Sequence, residues 1–147
     1  TRAKYLQEIV ENIRNNVYNM QQVVAGKVME ERMLKEAYYI REYFKDNSHV
    51  DDNIIEEILS KTGMDALYLT DSLGVVKYSN AKSSLGLNLY EADSSFLALK
   101  EGKQEYIVTP IKARVEDGKL FKFLTVADSN KRLYEVGLSL ETLLNNM

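Results

Sequence analysis

The fold is decided by residues 66–79, which read Ala-Leu-Tyr-Leu-Thr-Asp-Ser-Leu-Gly-Val-Val-Lys-Tyr-Ser. Two runs rich in β-forming residues, 66–70 and 75–79, flank Asp71-Ser72-Leu73-Gly74, a four-residue turn whose glycine can supply a positive φ. The stretch therefore predicts an antiparallel hairpin, the first two strands of a sheet.

Three more strands are predicted downstream of this hairpin. Residues 81–89 form a polar loop, and a short helix through Phe96 and Leu99 follows and ends at Gly102. The sequence Asp117-Gly118 is a strong two-residue hairpin signal between two further strands. The predicted strands are 104–115, 120–127 and 133–140.

A long amphipathic helix is predicted upstream of the hairpin, over residues 3–46. At 1.5 Å per residue it would be roughly 65 Å long, whereas a globule of this size has a radius of gyration of about 15 Å. The helix must project, and its apolar stripe needs a partner, for which a second copy of the chain is the simplest choice. We expect the homodimer interface to be formed by Leu6, Val10, Ile13, Val17, Met20 and Val24.

A second, short helix follows the long one. Asp51 or Asp52 can cap its start, and Gly63 can end it in the left-handed conformation. Five antiparallel strands with the helices on one side make an α+β fold. At 147 residues the chain has the length of a single domain.

Composition excludes several classes of function. The net charge of −3 leaves no basic field for a nucleic-acid backbone. With no cysteine, the chain has neither disulfides nor thiolate metal sites. No stretch is long and apolar enough to be a transmembrane helix or signal peptide. Contact with a membrane would therefore come only through flanking transmembrane segments outside this chain.

Motifs for catalysis and cofactor binding are also missing. The single histidine, His49, lies in a polar linker, where an exposed loop residue is a better account than a general base. The acidic pairs 51–52 and 56–57 suit helix starts rather than a Ca²⁺ loop. There is no phosphate-binding glycine loop. We expect no catalytic residue, metal, haem, flavin or nucleotide.

The order of elements resembles a single Cache domain, the PAS-like extracytoplasmic sensor of bacterial chemoreceptors and sensor kinases. The likeness rests on the long first helix, the short helix ending in glycine, residues 67–76 and the run Leu85-Gly86-Leu87-Asn88-Leu89. It implies one sensor domain over 1–147. Residues 1–47 would be the signalling and dimerisation helix, 48–140 the PAS-like core, and 141–147 the start of a C-terminal helix.

The hairpin at Asp117-Gly118 predicts which side chains share a face. A two-residue turn sets Val115 opposite Leu120, Arg114 opposite Phe121 and Lys112 opposite Phe123, and opposed residues share a face. The core face would carry Ile107, Thr109, Ile111, Ala113, Val115, Leu120, Lys122, Leu124 and Val126. The other face would carry Tyr106, Val108, Pro110, Lys112, Arg114, Phe121, Phe123, Thr125 and Ala127.

Two interpretations of the second face stay open. Aromatic walls with converging cations suit a pocket for a small anion. Alternatively, Lys112 and Arg114 lie over Phe121 and Phe123 as cation–π partners on a half-exposed sheet. Single Cache domains bind small organic acids on this side of the sheet, beneath the loop after the second strand, so the resemblance favours the pocket. It makes the ligand-binding candidates Tyr78, Tyr106, Lys112, Arg114, Thr125 and Tyr134.

The function expected from these patterns is non-catalytic. The leading hypothesis is an extracytoplasmic, homodimeric sensor of a membrane receptor that binds a small carboxylate and signals through its terminal helices. The alternative is a cytoplasmic PAS- or roadblock-like interaction module without a small ligand. A hydrolase using a carboxylate pair is a third possibility, for which the sequence places no such pair.

Overall fold

A computed structural model describes residues 1–145, apart from the side chains of residues 21, 22 and 25. Two short 3₁₀ turns, Lys82–Ser84 and Ser94–Phe96, accompany the helices and strands. The helices are α1 (Arg2–Asp46), α2 (Asp52–Thr62), α3 (Leu89–Ala92), α4 (Leu97–Lys100) and α5 (Leu140–Asn145). The strands are β1 (Ala66–Thr70), β2 (Val76–Ser79), β3 (Ile107–Val108), β4 (Lys112–Ala113), β5 (Leu120–Ala127) and β6 (Leu133–Ser139).

The predicted helices and the hairpin are confirmed. Asp51 caps α2 by accepting a hydrogen bond from the Ile54 amide, and Gly63 ends that helix with a φ of 74°. Gly74 closes the β1–β2 turn with a φ of 88°. A C-terminal helix is present as far as residue 145, and residues 146 and 147 lie outside the described part of the chain.

The described strands form one antiparallel sheet in the order β2-β1-β6-β5-β3. β4 also pairs with β5, so β3 and β4 share the edge position. The α+β class is therefore confirmed, while the predicted strand over 104–115 is wrong because it is broken in two. Pro110 lies in the break, where a residue without an amide hydrogen cannot continue the ladder.

The break also exchanges the faces of two residues. Ile107 lies opposite Thr125, and Val108 lies opposite Leu124. Val108 therefore packs with the helix-side core and Ile107 with the other one, the reverse of the prediction. Thr109 bridges the irregularity by accepting a hydrogen bond from the Phe123 amide at 3.0 Å.

The turn between β4 and β5 is longer than the two residues predicted. Arg114 and Lys119 close it through a backbone hydrogen bond of 2.9 Å, which leaves residues 115–118 as the turn. Lys112 therefore lies opposite Phe121 rather than Phe123. The predicted register is wrong by two residues, but a shift of two preserves the face. Lys112 consequently keeps the predicted side of the sheet.

One face of the sheet is covered by α1 and α2. Met33, Ala37 and Ile40 of α1 are fully buried against Leu124 and Val126 of β5. Lys122 projects toward the same helix and forms an ion pair with Glu30 at 3.0 Å. The second half of α1 is thus held to the sheet by apolar packing and one partly buried ion pair.

The opposite face is covered by α3, α4 and the turns beside them, although the sequence predicted helices on one side alone. Phe96, Leu89 and Leu99 pack there against Phe121 and Phe123. The segment leading to α3 runs back along β2, where the Val76 amide donates to the Leu87 carbonyl at 2.9 Å. This segment therefore forms a roof over the second face.

The first half of α1 is left uncovered by the part of the chain that the structure describes. Its large apolar side chains are 36–71% exposed. They are Tyr5, Leu6, Ile9, Val10, Ile13, Val17, Tyr18, Met20, Val23, Val24 and Val28. No helix among the described residues meets the length and hydropathy needed to cross a bilayer.

The absent side chain of Gly137 makes room for the aromatic pair. Phe121 and Phe123 stack with centroids 5.6 Å apart, and a Cβ at Gly137 would lie 3.0 Å from Phe123 Cε1 and 3.1 Å from Phe121 Cδ2. We expect Gly137→Ala to lower the free energy of unfolding by about 1–3 kcal/mol in urea titrations, because the rings must move.

Gly26→Ala is the matched control for this substitution. A Cβ at Gly26 meets nothing within 4 Å, and the residue lies inside α1. The control should stabilise the chain by about 0.5–1 kcal/mol. Equal effects at the two glycines would contradict the packing argument.

Candidate functional site

A cavity of about 120 Å³ lies between the roof and the second face of the sheet. Most of its wall is apolar or aromatic: Tyr68, Leu87, Leu89, Ala92, Phe96, Ala113, Val115 and Phe123. Five charged residues complete the wall: Asp93, Lys112, Arg114, Glu116 and Glu135. A small concave space with a few polar groups on apolar walls, here partly open to solvent, is typical of a small-molecule site.

Arg114 is held in place from several sides. Its Nε and Nη2 donate to the two carboxylate oxygens of Asp117 at 2.8 and 2.7 Å. Its Nη1 donates to the Tyr68 hydroxyl at 3.3 Å, and the guanidinium carbon lies 4.2 Å from the Phe121 ring centroid. The bidentate contact raises the pKa of Arg114 and lowers that of Asp117.

Tyr68 and Glu116 extend this network across the cavity. The Tyr68 hydroxyl donates to Glu116 Oε2 at 2.6 Å, and that oxygen lies 3.8 Å from Arg114 Nε. Burial and the neighbouring carboxylate raise the pKa of Tyr68 well above its ordinary value. Tyr68 therefore remains a neutral hydrogen-bond donor near neutral pH.

Glu135 is the most buried charged group of the wall, with 7% of its surface exposed. Its Oε2 accepts a hydrogen bond of 2.7 Å from the Thr125 hydroxyl. Burial raises the pKa of Glu135 from 4.5 to about 7, against the opposing effects of Thr125 and Lys112. Near neutral pH this carboxyl group is divided between its acid and its ionised form.

Lys112 and Asp93 lie toward the mouth of the cavity. Lys112 Nζ is 5.9 Å from the Phe123 ring centroid, and the residue is exposed. Asp93 accepts hydrogen bonds from the Ser95 amide and hydroxyl at 2.9 and 2.7 Å, which hold its pKa below the usual range. Lys112 is thus the cation whose ammonium group is freer to meet a ligand.

Solved structures of similar fold exist, although the sequence comparisons found no match. No protein-family model matches the chain, and no curated protein matches it. Among solved structures, an extracellular ligand binding receptor from Desulfohalobium retbaense superposes with a TM-score of 0.58 at 16% identity over 84% of this chain. The sensor domain of the V. cholerae histidine kinase DctB gives a TM-score of 0.50 at 11% identity over 78%.

The chain has the fold of a Cache-type sensor domain. The resemblance inferred from the sequence is therefore confirmed for the fold. A third similar structure is the Bacillus subtilis YkuI protein, which has an EAL domain and was crystallised with c-di-GMP and calcium (TM-score 0.56, 12% identity, 80% of this chain). The chain spans 24%, 45% and 32% of the receptor, the kinase sensor domain and YkuI.

Two of the six candidate residues line the cavity, and a third bonds to one of its wall residues. Lys112 and Arg114 line it, and Thr125 supports its floor through Glu135. Both cations also make the aromatic contacts of the alternative interpretation, Lys112 with Phe123 and Arg114 with Phe121. Tyr106 lies in the neighbouring open groove of about 710 Å³ along residues 104–110, which Lys112 and Asp93 also line.

Tyr78 and Tyr134 lie on the helix-side face, so placing them with Lys112, Arg114 and Thr125 is wrong. Tyr78 pairs with Leu69, which belongs to the helix-side core. Tyr134 stacks near Phe44 of α1, and its hydroxyl donates to Asp128 at 2.8 Å. In both strands the alternation of side chains sends the tyrosine away from the cavity.

Four charged or polar wall residues were missed from the sequence: Tyr68, Asp93, Glu116 and Glu135. Glu135 gave a usable signal, because it is the single acidic residue in the apolar run 133–138 and shares the parity of Leu133 and Gly137. The others depend on contacts between distant segments. Tyr68, for example, meets Glu116 across 48 residues of sequence.

The described part of the chain holds no group of three or more His, Cys, Asp or Glu side chains that could bind a metal ion. His49 is exposed, as the sequence predicted, and bonds to Asp51 at 2.9 Å beside the start of α2.

Glu135 makes stability depend on pH. Because its pKa is higher in the folded state, the unfolded chain loses the proton first as pH rises. The contribution of the protonated Glu135 to the free energy of unfolding is therefore fully present below about pH 4.5 and is lost as the pH rises past about 7. We expect Glu135→Gln to gain about 3 kcal/mol of unfolding free energy over the parent between pH 4.5 and pH 8.

Urea titrations across this pH range measure the difference. Glu56→Gln on the exposed face of α2 is the control and should follow the parent at every pH. A constant difference between Glu135→Gln and the parent would show that Glu135 is not buried in its acid form.

Proposed function

We propose that this Cache-type domain is the non-catalytic, extracytoplasmic sensing domain of a bacterial transmembrane receptor. In this proposal a small organic acid occupies the cavity beneath the roof, and the terminal helices transmit its presence. The supporting observation is the partly open cavity beneath the roof, where Lys112 and Arg114 lie beside Phe123 and Tyr68.

Lys112 would contribute most to binding the acid. The guanidinium of Arg114 is already paired with Asp117, while the nearest described contact of the Lys112 ammonium is an aromatic ring. An ammonium group that forms no ion pair within the described residues is available for a charge-assisted hydrogen bond to a carboxylate. Arg114 would instead shape the cavity by holding the turn and Tyr68.

The route from cavity to helix runs along β6. Glu135 lies on this strand, which passes directly into α5 after Ser139. The Ser139 hydroxyl oxygen accepts from the Thr142 amide at 3.2 Å, and Leu143 of α5 is buried in the same core as α1. A small movement of β6 on ligand binding would therefore shift α5 relative to α1. Such a shift can act as a switch when a pair of helices has two packed arrangements.

Ligand binding is tested by thermal shift with acetate, propionate, pyruvate and lactate. We expect at least one acid to raise the melting temperature with the logarithm of its concentration. Lys112→Met should lower the affinity for that acid at least tenfold, equivalent to about 1.4 kcal/mol, because it removes the ammonium group and keeps an aliphatic side chain.

Lys119→Met is the matched control, since Lys119 lies on the same hairpin but does not line the cavity. It should bind the acid like the parent. Failure of every acid to stabilise the chain, or equal binding by both lysine variants, would contradict the assignment of the cavity.

A homodimer through α1 is the second part of the proposal. At 100° per residue, the exposed stripe over residues 6–28 and the buried stripe over residues 29–44 lie about 180° apart on the helix. The first half of α1 therefore presents its apolar side away from the direction in which the second half meets the sheet. A second copy with the same stripe would cover it.

Charge on this stripe should dissociate the dimer. We expect the double variant Ile13→Glu/Val17→Glu to be monomeric, because each glutamate would be buried without a partner. Asn15→Glu/Asn19→Glu adds the same charge to the opposite side of α1 and should remain dimeric. Sedimentation equilibrium measures both, and a parent chain that stays monomeric at high micromolar concentration would contradict the proposal.

A further inference from the structure

The cavity wall carries more acidic than basic groups. Asp93, Glu116 and Glu135 line it together with Lys112 and Arg114. The charge of Arg114 is largely neutralised by Asp117, which holds it through two hydrogen bonds and lies outside the cavity. Glu116 lies 3.8 Å from Arg114 Nε, so Lys112 is the main cation acting on the other two carboxyl groups, Asp93 and Glu135.

Glu135 is the acidic group least compensated by this chain. One of its oxygens accepts from Thr125, and no ion pair to it occurs within the described residues. Asp93 and Glu116 by contrast accept hydrogen bonds from Ser95 and Tyr68 at the periphery of the wall. Lys112 offsets only part of the cost of burying this carboxylate, so Glu135 is either protonated or gains from a second cation supplied from outside.

Charge distinguishes two kinds of acid that could occupy the cavity. A simple monocarboxylate would satisfy Lys112 but would add a further negative charge within the same 120 Å³. A molecule that also carries an ammonium group would satisfy Lys112 at one end and Glu135 at the other. Its net charge is zero, so it adds no repulsion to the acidic wall.

The aromatic side chains favour an ammonium group as well. Tyr68 and Phe123 meet edge to face with centroids 5.9 Å apart, and both line the cavity with Phe96. Aromatic faces attract a cation that has lost part of its water, as Phe123 already does toward Lys112. The region around Glu135 thus combines a carboxyl group with aromatic walls.

We propose that the cavity binds a small zwitterion, with its carboxylate at Lys112 and its ammonium group at Glu135. The two groups are joined by a short carbon chain, because the space admits only a small molecule. This inference rests on the proposed sensing function and specifies the class of ligand.

The test uses four three-carbon probes that differ only in their charged groups: propionate, alanine, β-alanine and propylamine. Their affinities for the 147-residue chain are measured by calorimetry at pH 7.5. Alanine or β-alanine is expected to bind at least tenfold more tightly than propionate and propylamine, since only a zwitterion meets both ends of the site.

The Glu135→Gln variant identifies the group that the ammonium contacts. Glutamine keeps the shape and can still accept from Thr125, so the fold should survive, which circular dichroism verifies. The variant is expected to lose at least tenfold in affinity for the zwitterion while binding propionate as well as the parent or better. Glu56→Gln should bind all probes like the parent.

Two results would overturn this inference without overturning the proposed function. One is propionate binding as tightly as both amino acids, and the other is unchanged zwitterion affinity in Glu135→Gln. In either case the cavity would still be an acid-sensing site. Absence of binding by all four probes also overturns the inference, and it overturns the proposed function too if the acid panel gives no thermal shift.

Discussion

The pairing of β5 with β6 is the constraint on which the rest of the structure depends. Residues from Phe121↔Ser139 to Ala127↔Leu133 are in continuous antiparallel register, so alternate side chains go to opposite faces. Phe123 and Glu135 go to the cavity, while Leu124 and Val136 go to the helices. A slip of one residue would exchange the two faces of the strands. Lys122 and Tyr134 would then face the cavity, and the apolar side chains that pack on the helices would leave that core.

Local signals explain what the sequence could predict. The cap at Asp51, the stop at Gly63 and the hairpin at Gly74 each depend on a few neighbouring residues, and the structure has all three. The predicted length of the turn after β4 is wrong because Asp117 binds the Arg114 side chain as well as the Lys119 amide. Such a side-chain clamp competes with the backbone preference of Asp-Gly, and the sequence pattern does not contain it.

The same distinction applies to the candidate site. Lys112 and Arg114 could be placed correctly because an error of two residues in register leaves the face unchanged. The prediction for Tyr134 is wrong because the alternation of side chains along β6 points Tyr134 to the helices and assigns Glu135 to the cavity. Tyr68 and Glu116 become neighbours only when β1 and the β4–β5 turn meet, which is a property of the whole fold.

The change of apolar face along α1 gives the two halves of the helix different surroundings, and the proposed mechanism would use both. Its second half, from Met29 to Phe44, is buried against the sheet that carries the cavity floor. Its first half presents the opposite side and leaves its apolar stripe uncovered. A rigid helix would therefore transmit a movement of β5 and β6 at one end to whatever covers the stripe at the other. Because Lys122 of β5 pairs with Glu30 close to the change of face, that ion pair lies where such a movement enters the exposed half.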